Sequence, residues 1–429
     1  MNTLEYETPA AARNVPVIMT LLSVMMFLEF FVWGAWYVTM STFMTEASMT
    51  SKIGLAYMLC PIAAIISPFF LGMVADRFFA SEKVLAVLMI VGGAAMFLVP
   101  GAAKQGTGAF LGVILIHAMC YMPTLGLTNT IAFANMTNQE KQFPLVRVFG
   151  TLGWIVAGLM ISFMHVDKTA TPFLLAGGAA IAMGLFSFAL PHTPPPAKGK
   201  KASVGEILGA DALALFRSPS FVVFAIASFL ICIPLAAYYS YAGRLVNDLG
   251  KPVAGTMAIG QAAEVVFMLL MPLFFAKLGV KWMLALGMLS WVARYALFAA
   301  GAPHAIFWMI ILGIALHGMC YDFFFVTGFI YTDQRASKEI RGQAQGLLVL
   351  ITQGLGLGIG AYLTGEYFNR TVGAATGTAA LSLYPKFWWV CAAFALAVLI
   401  IFVAFFRDDS KEPVAEPRGL AVEPMQTAG

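Results

Sequence analysis

Charge is what this sequence has least of. Asp, Glu, Lys and Arg make up 11% of its 429 residues, while 60% are hydrophobic. A soluble domain of this length has no use for so much apolar surface; a chain whose solvent is lipid does. The net charge of +4 is small and scattered, which provides no basic field for nucleic acid. Cysteine is scarce too. Cys60, Cys120, Cys232, Cys320 and Cys391 all fall within apolar runs without metal-type spacing, so they read as small packing residues and not as disulfides or ligands. The histidines (His117, His165, His192, His304 and His317) do not cluster as ligands and His-Glu-x-x-His is absent, which argues against a multi-pass membrane enzyme. No catalytic residue, metal, cofactor or obligate protein partner is expected, and there is no extra domain through which a receptor would relay a signal.

What is present is a succession of long apolar runs. They fall at about 16–43, 54–75, 84–101, 109–136, 145–164 and 172–191, then at about 219–243, 255–276, 282–301, 306–331, 343–365 and 386–406. The first is too long for a signal-peptide core and stays as a membrane helix. The pattern predicts an all-α integral membrane protein of twelve transmembrane helices, with an N-terminal bundle over 1–191 and a C-terminal bundle over 219–407. The link 192–218, with Pro194, Pro195, Pro196, Lys198, Lys200, Lys201 and Arg217, suits a cytoplasmic hinge, and 408–429 reads as a disordered tail. With the N-terminus inside, inner segments hold 17 Lys and Arg against 7 outside, with Arg294 left within a helix; this places both termini in the cytoplasm.

The two halves share a motif. His117-Ala118-Met119-Cys120-Tyr121-Met122 recurs 200 residues later as His317-Gly318-Met319-Cys320-Tyr321-Asp322, so an aspartate in the second copy replaces a methionine in the first. An aspartate at the centre of a membrane helix costs about 2.5–3.5 kcal/mol unless it faces a partner or water. Halves that match weakly at corresponding positions are the build of secondary transporters, with the binding site between them. Between the second and third runs, Gly72-Met73-Val74-Ala75-Asp76-Arg77 resembles the short G-x-x-x-D-R loop of the major facilitator superfamily. That resemblance implies two six-helix bundles around a cavity that opens alternately to each side, with Gly72, Asp76 and Arg77 serving the conformational change.

Several runs carry polar residues at helical spacing. Glu29, Trp33, Trp36 and Met40 share one face of the first. Glu29 is there either because water reaches it from the helix end or because it lines a cavity between aromatic surfaces. His117, Tyr121, Thr124 and Thr128 form a stripe in the fourth run. Arg147, Thr151, Trp154 and Gly158 form another in the fifth, where Arg147 either marks the end of the helix or heads a polar site. Gln261 and Glu264 are neighbours in the eighth, roughly 10–14 Å deep at 1.5 Å per residue. Glu264 is a functional carboxylate or the ion-pair partner of Arg294. In a regular helix His317 and Asp322 stand about 140° apart, so both face one ligand only if the helix is distorted, for which Gly318 is the candidate.

At these positions the resemblance sharpens. Tyr121-Met122-Pro123-Thr124-Leu125-Gly126-Leu127-Thr128-Asn129-Thr130, the Arg147-x-x-Gly-Thr151 segment, Gln261-x-x-Glu264 and Tyr321-Asp322-Phe323-Phe324 look like the bacterial nucleoside:proton symporters of that superfamily, and the similarity extends from Trp33-Gly34-x-Trp36 to Ala344-Gln345-Gly346. The resemblance implies import of a nucleoside through the bacterial inner membrane. Arg147, Thr151, Trp154, Gln261, Glu264, Tyr239, His317, Tyr321 and Trp33 would form the substrate site, and Asp322, Glu264 and Glu29 would couple protons. The chemistry suits a nucleoside: carboxylates accept from ribose hydroxyls, Gln261 pairs with a base edge in both senses, and Trp154 stacks. An ion pair between Arg147 and Asp322, made in one state and broken in another, would link proton to cargo. Two departures touch the cavity. The family presents side-chain amides from its seventh helix where this chain has Ile233-Pro234-Leu235-Ala236-Ala237-Tyr238-Tyr239-Ser240-Tyr241, and Glu29 stands where an amide would be less surprising. The alternative cargo is therefore a sugar, a glycoside or another polyhydroxylated small molecule on the same fold.

Overall fold

A bilayer leaves backbone polar groups no partner but one another, so each apolar run folds as a helix. The computed structural model describes residues 15–70, 78–195, 210–337 and 340–410. Gly72, Asp76 and Arg77 lie outside the described residues, as do most of the linker (196–209) and the tail from 411.

In chain order, α1 is Val15–Trp36, extended past a turn by the short helix Met40–Glu46; α2 is Ile53–Phe70; α3 is Ser81–Gln105; α4 is Thr107–Asn135; α5 is Gln139–Met164; and α6 is Thr171–Ser187. After the 3-10 segment Ala210–Arg217, α7 is Pro219–Asp248. The stretch Val253–Gly301 is two helices, because Gly279 interrupts it with φ 64° and ψ −177°. That left-handed φ falls to glycine, which has no Cβ to clash. We label 253–278 as α8 and 280–301 as α9. Phe307–Arg335 is α10, Arg341–Thr371 is α11 and Gly377–Phe405 is α12. These are the twelve expected helices, in the expected order. α6, with 17 residues, sits at the lower limit for a span.

Two boundaries differ for a physical reason. α7 runs on to Asp248 and α12 starts at Gly377, because charges that read as solvent markers are buried against each other. Arg244 Nε lies 3.8 Å from Asp248 Oδ2, and Nη2 donates to the Ala375 carbonyl at 2.6 Å. Asp248 also accepts from Tyr384 Oη at 2.8 Å and from the Gly377 amide at 3.1 Å. The polar cluster thus extends the helices beyond the apolar runs.

Within the first half, α1 packs on α5 and α6, and α3 packs on α4 and α6; within the second, α7 packs on α11 and α12. The halves meet through α5 against α8 and through α2 against α11. Gly54 and Gly365 allow the second contact, since a Cβ on Gly54 would stand 2.8 Å from Gly365 Cα. The hydrogen bonds found between described residues of the two halves all lie at the end remote from the termini. Asp167 Oδ1 accepts from the Ala254 amide at 2.7 Å, Ser162 Oγ accepts from the Gly255 amide at 2.6 Å, and Asn369 Nδ2 donates to the Ser51 carbonyl at 3.0 Å. Two residues of α5 and the turn after it therefore cap the first turn of α8 across the interface, where Pro252 offers no side-chain cap.

Candidate functional site

Aromatic rings bridge the two halves midway along the helices. Trp154 of α5 lies 5.5 Å from Trp33 of α1, and Trp33 lies 5.7 Å from Tyr37, centroid to centroid. Tyr37 meets Tyr239 of α7 across the interface at 5.9 Å, Tyr239 meets His317 of α10 at 6.3 Å, and His317 meets Tyr321 at 5.9 Å. The chain of rings forms a flat-faced, polar-edged wall between the halves, suited to stacking against a planar group. It brings together Trp33, Trp154, Tyr239, His317 and Tyr321. Tyr37 escaped the sequence reading, although it lies one turn beyond Trp33.

On the second half the polar groups converge on Glu264. His317 Nε2 lies 3.9 Å from Glu264 Oε2, too far for a hydrogen bond. His317 Nδ1 faces Arg294 Nη2 at 3.4 Å. The guanidinium also sits 4.0 Å over the Tyr238 ring and donates through Nε to the Gly313 carbonyl at 3.0 Å. Arg294 therefore does not pair with Glu264 directly; His317 stands between them. Tyr238, which stacks on His317 at 5.4 Å, is a further residue that sequence reasoning did not single out.

Asp322 is fully buried, and neither of its carboxylate oxygens has a hydrogen-bond partner. Glu264 acts on it electrostatically. The Arg147–Asp322 ion pair expected for one state is not made in this conformation. The helical distortion, by contrast, is present. α10 leaves the α-helical path at Leu316, and Tyr321–Val326 is a π-helical turn. Such turns widen the helix and recur at functional sites. Gly318 does another job: a Cβ there would stand 2.6 Å from the Ala263 carbonyl, so its absence brings α10 against α8 beside Glu264.

On the first half, Arg147 is partly buried with its guanidinium 4.0 Å over Phe30, near enough to Glu29, Glu264 and Tyr321 to act on each electrostatically. Thr151, partly buried, lies one turn from Arg147, and Trp154 almost one turn further along α5. Glu29 is fully buried between α1 and α4, which removes the reading in which water reaches it from the helix end. Thr124 Oγ1 lies 2.7 Å from Glu29 Oε1, and Tyr121 Oη donates to the Glu29 carbonyl at 2.7 Å, while Oε2 has no partner. Trp36 and Met40, placed on the same face in the sequence, turn into the bundle instead; Trp36 packs on His117 at 5.4 Å. His117 bonds the Gly92 carbonyl at 2.9 Å and joins α3 to α4. The first copy of the repeat is thus structural, whereas His317 and Tyr321 of the second stand in the aromatic wall. Gln261 is partly buried on α8, one turn before Glu264.

Twelve helices in two halves, sealed to each other at one end, with buried carboxyl groups and a wall of aromatic rings between them, define a secondary transporter of the major facilitator architecture. The nucleoside H+ symporter family matches residues 17–411, and the chain belongs to that family. It is 39% identical over 407 residues to YegT of Escherichia coli (strain K12), covering 92% of this chain and 95% of that one. To a xanthosine permease of the same strain it is 28% identical over 407 residues, 90% of this chain and 95% of the permease. The crystal structure of the nucleoside transporter NupG superposes with a TM-score of 0.80 at 27% identity, covering 91% of this chain and 99% of NupG. A D-xylose–proton symporter shares the fold, with a TM-score of 0.71 at 15% identity over 93% of this chain and 99% of that one. The protein is a multi-pass membrane transporter, not an enzyme, and its small-molecule cargo and proton move together by nucleoside:proton symport.

Proposed function

We propose that the nucleoside binds between the halves with its base against Trp33, Trp154 and Tyr239. Arg147, Thr151 and Gln261 contact its polar edges, and Glu264 accepts from the ribose hydroxyls. His317 and Tyr321 close the site on the α10 side. Asp322, Glu264 and Glu29 carry the coupling proton. The observation that supports this reading most is Asp322: a buried carboxyl group without a hydrogen-bond partner, under the electrostatic influence of Glu264 and directly after Tyr321 of the aromatic wall. A group so placed is a functional candidate by default. Asp322 takes its proton while the cavity faces outward, the cargo binds at Glu264, the halves rock, and both leave inward.

The basic residues set the direction. With both termini in the cytoplasm of a bacterium and the protein in its inner membrane, the sealed end faces outward and the conformation is inward-facing. The bundles over 1–191 and 219–407 rock about the linker 192–218, and Gly72, Asp76 and Arg77 serve the conformational change.

Uptake of labelled uridine, adenosine and xanthosine into proteoliposomes, with and without an inward proton gradient, tests the reading. Accumulation should collapse when the gradient is dissipated, and unlabelled sugars should not compete. Competition by a sugar or glycoside with no nucleoside uptake would overturn it.

A further inference from the structure

A polar cavity lies at the end of the fold opposite the seal between the halves, away from the aromatic wall. The 3-10 segment Ala210–Arg217, the start of α7 and the ends of α10 and α12 enclose about 670 Å³. Three arginines from three separate elements line it, Arg217, Arg335 and Arg407, against one carboxylate, Asp409.

That carboxylate is already engaged. Asp409 accepts from Ser218 Oγ at 2.6 Å and from Tyr331 Oη at 2.5 Å, and lies 3.5 Å from Arg335 Nη2. Its backbone carbonyl accepts from Arg335 Nη1 at 3.0 Å. Asp409 thus holds Arg335 in place. Arg335 is buried, whereas Arg217 and Arg407 stand exposed at the mouth. Neighbouring Asp408 is not part of the lining; its Oδ1 caps the Ser410 amide at 3.1 Å. The lining therefore keeps two formal positive charges, three arginines less one aspartate.

Apart from Ser218 and Ser220, the remaining wall is apolar. Leu215 lines the interior, and Phe405, 67% exposed, stands at the rim where α12 leaves the hydrocarbon layer. A free inorganic anion needs no such wall, while a lipid, with its phosphate joined to acyl chains, does. Guanidinium forks match phosphate oxygens in pairs, and basic pockets between transmembrane helices at the membrane surface suit anionic headgroups. We propose that this cavity binds the phosphate headgroup of an anionic phospholipid, with Arg217 and Arg407 on the phosphate and the acyl chains against Phe405.

Native mass spectrometry of the full-length protein, titrated with phosphatidylglycerol or with phosphatidylethanolamine, provides the test. The wild type should retain phosphatidylglycerol adducts at least tenfold better than phosphatidylethanolamine. The double variant Arg217→Gln/Arg407→Gln should lose that preference while its melting temperature in detergent stays unchanged. Ser220→Asp, which adds a carboxylate to the lining yet suits the first turn of α7, should lose it as well and guards against misfolding of the double variant. Equal retention of the two lipids, or an unchanged preference in both variants, overturns the proposal. So does displacement of phosphatidylglycerol by millimolar inorganic phosphate together with stabilisation by phosphate alone, which would make this a site for a free anion.

Discussion

Arg294 Nη2 faces His317 Nδ1 at 3.4 Å, and an arginine can only donate. Nδ1 must therefore accept, which leaves the imidazole proton on Nε2, the nitrogen turned toward Glu264. Arg294 is a positioning residue: it fixes His317 as a neutral donor in the aromatic wall. Arg294→Gln should release that tautomer. Nitrogen NMR of labelled His317 should show one Nε2-protonated form in the wild type and a mixture in the variant. Nucleoside affinity should fall about tenfold, the ~1.4 kcal/mol of one polar contact.

Asp322 is the most direct test of coupling. Asn keeps the shape of the neutral acid but binds no proton. Asp322→Asn should abolish accumulation driven by a proton gradient while leaving counterflow exchange of nucleoside within a few-fold of wild type. Intact proton-driven accumulation in the variant would remove Asp322 from the coupling step. Glu264→Gln should weaken exchange as well, because Glu264 serves the cargo too.

How much of this was legible in the sequence follows from what each residue depends on. Lipid enforces apolar runs of fixed length, so twelve helices could be read off directly. The 200-residue repeat pointed to His317 and Asp322 because a buried charge needs a reason. Side-chain direction after a helix break could not be read. The helical count put Trp33 and Trp36 on one face, but α1 ends at Trp36, so Tyr37 points at Tyr239 while Trp36 turns into the bundle. The distortion in α10, expected at Gly318, starts at Leu316 and includes a π turn over Tyr321–Val326 that leaves no mark in composition. Arg244 resembled a surface charge because its partners, Asp248 and the Ala375 carbonyl, come together only in the fold.

The seal between the halves should be sensitive to bulk. A Cβ on Gly365 would stand 2.9 Å from Gly54 Cα, backbone that cannot move aside without separating α2 from α11. Gly365→Val should hold that end open. Uptake should be lost, and a cysteine placed at Ser51 should react with a membrane-impermeant maleimide at least several-fold faster than in the wild-type background. Unchanged labelling would mean that the seal does not depend on this contact.

Trp154 supplies the last prediction. Its ring is the first-half end of the aromatic wall, 5.5 Å from Trp33. Stacking of a base on an aromatic side chain is worth about 1–3 kcal/mol. Trp154→Ala should therefore raise the KM for uptake by about tenfold or more for purine and pyrimidine nucleosides alike, whereas Trp154→Phe, which keeps a flat face, should recover most of the loss. Ribose offers no comparable π-face, so inhibition of uptake by free ribose, if any is measured, should not respond to either change. A weakening of ribose inhibition as large as the KM shift for nucleosides would move the base away from Trp154 and put the sugar there instead.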